Sequence, residues 1–173
     1  MKKVYIVLTY TGTALSRIVR VCTRKKYCHV SISLDRNLRH MYSFGRVNPY
    51  IPFIGGFVQE SPEYGTFKRF KNTKAKIYEL EVSEEDYKKI KDIIKDFKAH
   101  KGNYRFNVIG LIAVLFHLNP TRDNHYYCAE FVKHLLVSSN LNVDLPVLIK
   151  PEDFRNLDGS SCIYTGLLRD YRI

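Results

Sequence analysis

Residues 126–136 read Tyr126-Tyr127-Cys128-Ala129-Glu130-Phe131-Val132-Lys133-His134-Leu135-Leu136. A polar stretch, residues 120–125, gives way here to apolar residues at helical spacing: Phe131, Val132, Leu135 and Leu136. The pattern predicts a helix whose first turn carries Cys128. The first turn of any helix has unpaired backbone N–H groups and a partial positive charge, which favour thiolate over thiol and can receive an oxyanion. A cysteine beside an apolar helix is more often a packing residue, so the thiol alone does not make a site. Glu130 reads as structural: the helix dipole stabilises a carboxylate there, and its charge would oppose a neighbouring thiolate.

A thiol nucleophile also needs a base. Upstream, Tyr27-Cys28-His29-Val30-Ser31-Ile32-Ser33-Leu34 alternates with the period of a strand. Val30, Ile32 and Leu34 fall on one face, and His29, Ser31 and Ser33 on the other. A helix-start cysteine together with a histidine on the polar face of a strand is the parts list of a papain-type site.

The pairing resembles a known family. A His-bearing strand early in the chain and a Cys-bearing helix late in it are similar to the circularly permuted papain-like hydrolases, the YiiX/YaeF type within the NlpC-like superfamily. Lecithin retinol acyltransferases are a more distant branch. Ordinary papain relatives place Cys before His; here the order is reversed, as permutation requires. The resemblance extends over the opening strand and helix through Thr23, Met41-Tyr42-Ser43-Phe44-Gly45-Arg46, residues 126–132, and the tail Ile149-Lys150-Pro151-Glu152-Asp153-Phe154. It implies an α+β fold, an antiparallel sheet or half-barrel packed against helices that include the Cys-bearing one, in a single domain over residues 1–173. It further implies a thiol hydrolase, amidase or peptidase, working through a Cys128–His29 pair and an acyl-enzyme without a cofactor. An acyltransferase on lipid-like substrates, or an impaired binding module of the same fold, are the alternatives.

The chain departs from the family at the third catalytic position, which falls on Met41 and cannot hold an imidazole tautomer. Ser43 shares the strand face of position 41 and ranks as the orienting group; His40, one register step away, is the alternative, and a water or backbone carbonyl would serve in their absence. Arg46, Asn48, Phe53 and Tyr127 are assigned to the substrate cleft. Residues 48–65 hold so many prolines and glycines that no regular element is expected, yet Tyr50, Ile51, Phe53, Ile54 and Phe57 are too apolar for a solvated loop. A lid or binding wall over the cleft accounts for both, as does a loop packed on the sheet edge.

Elsewhere, periodicity predicts a strand over 3–10 and a helix over 14–23 with Leu15, Ile18, Val19 and Cys22 inward. A strand over 38–44 follows the His29 strand, and another covers 76–82. Ser83, with Asp86 in the capping-box place, starts a helix with Tyr87, Ile90, Ile93, Ile94 and Phe97 inward. Residues 107–118 form the most apolar segment, read as a buried helix too short for the ~20 residues that cross a bilayer.

The hydrophobic fraction of 45% and aromatic fraction of 13% belong to a folded globule. The net charge of +11, from 28 Lys and Arg against 17 Asp and Glu, is compatible with an anionic partner. The basic run along 88–101 is interleaved with acids and reads as a solvated helix face, so nucleic acid is not the expected partner. Cys22, Cys28, Cys128 and Cys162 have no zinc spacing, no histidine pair forms a His-Glu-x-x-His motif, and neither metal nor cofactor is expected. His100 and His117 read as helix-end residues, His125 as a loop residue, and His134 as pointing away from Cys128. Met1-Lys2-Lys3 leads into a first strand and not a signal helix, so a cytoplasmic protein with reduced thiols is expected.

Overall fold

A computed structural model describes residues 1–48, 50–107 and 124–173. The first strand, β1 (Lys2–Tyr10), is buried continuously from Val4 to Thr9. Such a run needs cover on both faces of the sheet. Val4, Ile6 and Leu8 enter the larger core cluster, while Tyr5 and Val7 enter a smaller one. The period of two thus divides one strand between two cores.

Around β1 lies a six-stranded sheet in the order β4-β3-β2-β1-β5-β8, every neighbouring pair antiparallel. Its strands are β2 (His29–Ser33), β3 (Met41–Asn48), β4 (Ile51–Glu60), β5 (Lys74–Val82) and β8 (Ser160–Leu167). A short parallel pair, β6 (Arg105–Phe106) and β7 (His125–Tyr126), stands apart. The helices are α1 (Ala14–Thr23), α2 (Gly65–Arg69), α3 (Glu84–Ala99) and α4 (Cys128–Ser138). The architecture is α+β. No helix among the described residues is long and apolar enough to cross a membrane.

Several sequence expectations meet their elements. Ser83 caps α3, its hydroxyl accepting from Asp86 N at 3.0 Å, and Ile90, Ile94 and Phe97 are buried along it. Thr13 caps α1, whose bounds match the predicted 14–23, but Ile18 is 57% exposed and does not face the core. The returning strand begins at Met41 and not at 38, because Leu38 takes a positive φ of 56° in a turn held by Asp35, whose carboxylate accepts from Arg39 N and His40 N. The predicted apolar helix over 107–118 lies, apart from Asn107, outside the described residues.

The largest correction falls on residues 48–65. Where breakers predicted no regular element, β4 runs for 10 residues, antiparallel to β3 from Asn48↔Ile51 to Met41↔Glu60. The reason is its place at the edge of the sheet. An edge strand tolerates Pro52, which has no N–H for a further ladder, and Gly55 and Gly56 pair with Arg46 and Gly45. At Gly55 a glycine is required, since an added Cβ would lie 2.7 Å from Phe106 Cγ. The Phe106 ring lies directly on the backbone of β4.

Helix α4 buries Ala129, Phe131, Val132, Leu135 and Leu136 against the sheet and α3. Phe131 meets the rings of Phe44 at 5.4 Å, Phe97 at 5.1 Å and Phe57 at 5.6 Å between centroids. These tilted and edge-on contacts join β3, β4, α3 and α4 and add to simple area burial. Truncation by Phe131→Ala is expected to destabilise the protein by ~3 to 5 kcal/mol, the range for a large buried ring. Denaturant unfolding of the variant against wild type checks this.

Candidate active site

Cys128 opens α4, and its residue is buried. Two interactions fix that helix start. The backbone N–H of Tyr127 donates to Glu130 Oε2 at 3.0 Å, and the Tyr127 hydroxyl donates to Ile149 O at 2.8 Å. Glu130 thus satisfies a backbone donor at the helix start. Tyr127 is pinned between core and cleft.

His29 opens β2, directly opposite Thr9 of β1. The segment before it is held from the far end of the chain. Tyr27 N donates to Glu152 Oε1 at 2.9 Å, and the buried Glu152 accepts from Arg155 Nη1 at 3.0 Å. The tail at 151–154 therefore anchors the approach to the histidine strand.

Cys128 interacts electrostatically with the His29 ring, and both line the same cleft. On its other side, His29 Nε2 lies 3.0 Å from Glu60 Oε2. Ser31 donates to the same carboxylate oxygen at 2.6 Å and lies 3.3 Å from His29 Nε2. Imidazole and carboxylate form a hydrogen-bonded pair beside Cys128, with Ser31 steadying the acid. The His29 side chain is 20% exposed and that of Glu60 11%. Burial opposes a charged ring, but the Glu60 carboxylate and the neighbouring Cys128 outweigh it and raise the His29 pKa to about 10.

Gly45 makes the meeting possible. A Cβ there would lie 3.3 Å from His29 Cε1 and 3.6 Å from Glu60 Oε1. A side chain on this position of β3 would press on the His29 ring and stand in ordinary contact with the Glu60 carboxylate.

The third-residue expectation is corrected by these contacts. Ser43 is buried and donates to Val30 O at 2.6 Å, tying β3 to β2 away from the ring. His40 is exposed, its Nδ1 3.7 Å from Asp35. Neither orients His29. The carboxylate comes from Glu60, the ladder partner of Met41 itself, so the acid stands one strand further out than the position where it was sought. Its sequence signal was hidden by the Pro- and Gly-rich stretch before it.

Cys28, His29, Glu60 and Cys128 border one cleft at the end of the sheet. Phe44, Phe67, Phe106 and Val19 give it apolar walls, and Thr11, Thr13, Ser16 and Thr66 add hydroxyls. Of the residues assigned to the substrate cleft, Arg46 and Tyr127 line it. Asn48 accepts from Tyr50 N at 2.8 Å in the β3–β4 turn and does not line the cleft. The Phe53 side chain lies outside the described residues. Residues 48–65 border the cleft through Gly55 and Glu60, as a strand of the sheet and not as a lid.

The other thiols differ. Cys28 is pushed up to about 12, by burial first and then by Cys128. Cys162 is exposed on β8, and the side chain of Cys22 lies outside the described residues. His134 packs on Tyr126 and Phe97 at 5.5 and 5.9 Å, away from the cleft. Among the described residues no group of three His, Cys, Asp or Glu side chains is arranged to hold a metal ion. Neither a protein-family model nor a curated protein matches the chain.

The raised His29 pKa gives a stability signature. Below the ordinary value of 6.5 both folded and unfolded states carry the proton, and the stabilisation from pairing with Glu60 is fully present. Between 6.5 and about 10 the folded state holds a proton that the unfolded state has released, so stability falls as pH rises through that window. Wild-type protein should therefore lose more melting temperature than Glu60→Gln from pH 6.5 to 10, as scanning calorimetry would measure. Parallel profiles would remove Glu60 as the source of the shift.

Proposed function

We propose that this protein is a thiol hydrolase, an amidase or peptidase of the circularly permuted papain-like type. The observation that carries the reading is the grouping of Cys128 with the hydrogen-bonded pair His29–Glu60 in one cleft. The order of His strand before Cys helix on an antiparallel sheet supports the same reading.

With Nε2 engaged by Glu60, Nδ1 is the nitrogen left for the thiol. With the proton held on the His29 ring, the Cys128 sulfur attacks as thiolate on the carbonyl carbon of an amide or ester, forming a C–S bond as the carbonyl π electrons move to oxygen. Backbone N–H groups at the start of α4 receive that oxyanion. The imidazolium returns its proton to the departing amine or alkoxide as the scissile bond breaks, leaving a thioester on Cys128. Water, giving its proton to His29, then attacks the thioester and releases the acid. Glu60 holds the ring orientation and stabilises the imidazolium throughout.

A binding-only role for the same fold would follow from a site lacking its third member. Glu60 supplies the carboxylate that Met41 does not, which favours turnover. A second nucleophile in place of water at the last step would make the protein an acyltransferase by the same chemistry.

Two measurements test the reading. Cys128 should be alkylated at mildly acidic pH faster than Cys22, Cys28 and Cys162, and His29→Ala should abolish the advantage. Equal labelling of all four thiols, followed by mass spectrometry, would count against an activated nucleophile. With a panel of activated esters and peptide amides, intact-mass analysis should find a thioester on Cys128 that Cys128→Ala lacks, and Glu60→Gln should slow acylation on the order of 10²-fold. Absence of any acyl adduct across the panel would overturn the hydrolase assignment.

A further inference from the structure

We propose that Arg46 is a specificity-determining residue that selects substrates carrying an anionic oxygen group, carboxylate or phosphate, beside the carbonyl that Cys128 attacks. The assignment of the group to a substrate rests on the hydrolase reading. The existence of the anion site does not.

Arg46 follows Gly45 on β3 and lines the same cleft as Cys128 and His29. Its guanidinium is held in place before any ligand arrives. Nη2 donates to Thr13 Oγ1 at 2.6 Å, and the guanidinium carbon lies 5.9 Å from the centroid of Phe70. Among the described residues Thr13 is its one hydrogen-bond partner, so most of its N–H donors are unused.

Among the described residues no carboxylate answers the charge: Glu60 is the one acidic residue on the cleft wall, and it is occupied by His29 and Ser31. Burial of Arg46 and the nearby Arg69 both work against its protonated form, so the cation sits where water is reduced and a second positive charge adds to the field. A half-buried, fixed guanidinium without an anion is the arrangement that an incoming oxyanion completes. Its planar fork matches carboxylate or phosphate in two parallel hydrogen bonds, which are stronger than neutral ones. The apolar rings of Phe67 and Phe106 and the Arg46 head are walls of one cleft, so the substrate would combine an anionic group with an apolar one.

Paired alkylating reagents read the effect without any need for turnover. Iodoacetate and iodoacetamide both transfer a CH2 group to sulfur with loss of iodide, but only the first carries a carboxylate. Their rate ratio at Cys128, normalised to the ratio at exposed Cys162 in the same molecules, should be about tenfold in favour of iodoacetate, the scale of one charge-assisted contact. Arg46→Gln should return the ratio to that of Cys162, and Arg46→Lys should keep part of it. Equal ratios at the two thiols in wild-type protein would overturn the proposal. Because Cys128 is buried, calorimetric titration of glutarate and of inorganic phosphate into Cys128→Ala protein provides an independent measurement. Binding of either anion that is lost on adding Arg46→Gln supports the site, and which anion binds distinguishes carboxylate from phosphate. Binding of neither overturns it. Anion binding by a protein that forms no acyl-enzyme would retire the hydrolase reading and leave the anion site standing.

Discussion

Packing of Phe131 among Phe44, Phe57 and Phe97 is the contact on which the remaining geometry depends. It fixes α4 to β3, β4 and α3 at once, and so sets where the first turn of α4 meets the end of the sheet. A thiol on that turn is useful only if the helix neither slides nor rotates. Aromatic edge and face contacts resist both better than aliphatic packing of equal area, because ring quadrupoles prefer particular orientations. Tyr127 adds a polar tether next to Cys128, its hydroxyl bound to Ile149 O.

Electrostatics at the site follow from what surrounds the imidazole. A buried histidine alone would be pushed toward neutrality. Glu60 reverses that, and Ser31 keeps the carboxylate pointed inward. Three strands contribute: β2 the ring, β4 the acid, and β3 a residue without a side chain between them. The charge pair is thus assembled across the sheet, with Gly45 as the gap through which ring and carboxylate touch.

Much of this was legible in the sequence, and the parts that were not share a cause. The Cys128 helix, the polar face of the His29 strand and the cap at Ser83 announce themselves through local period and local hydrogen bonding, which a linear pattern carries. Glu60 does not. Its place beside His29 depends on a ladder register and on β4 being an edge strand, where Pro52, Gly55 and Gly56 are admissible and a breaker count misleads. The same dependence moved the third residue from Ser43 or His40 to Glu60: facing in a strand can be read from alternation, but which neighbour a side chain meets is set by pairing. Ile18 failed in a different way. Helical spacing placed it inward, while α1 turns Ser16 and Val19 inward and leaves Ile18 at 57% exposure.

Glu152, which lies 125 residues beyond Tyr27 and holds its backbone, makes the entry to the histidine strand depend on a segment distant in sequence. The ladders that β2 makes with β1 and β3 do not include that contact. A cleavage between α4 and Pro151 would leave those ladders in place while releasing the entry. Order around His29 is thus shared between the strand that carries the ring and a clamp that proteolysis could remove without touching the sheet.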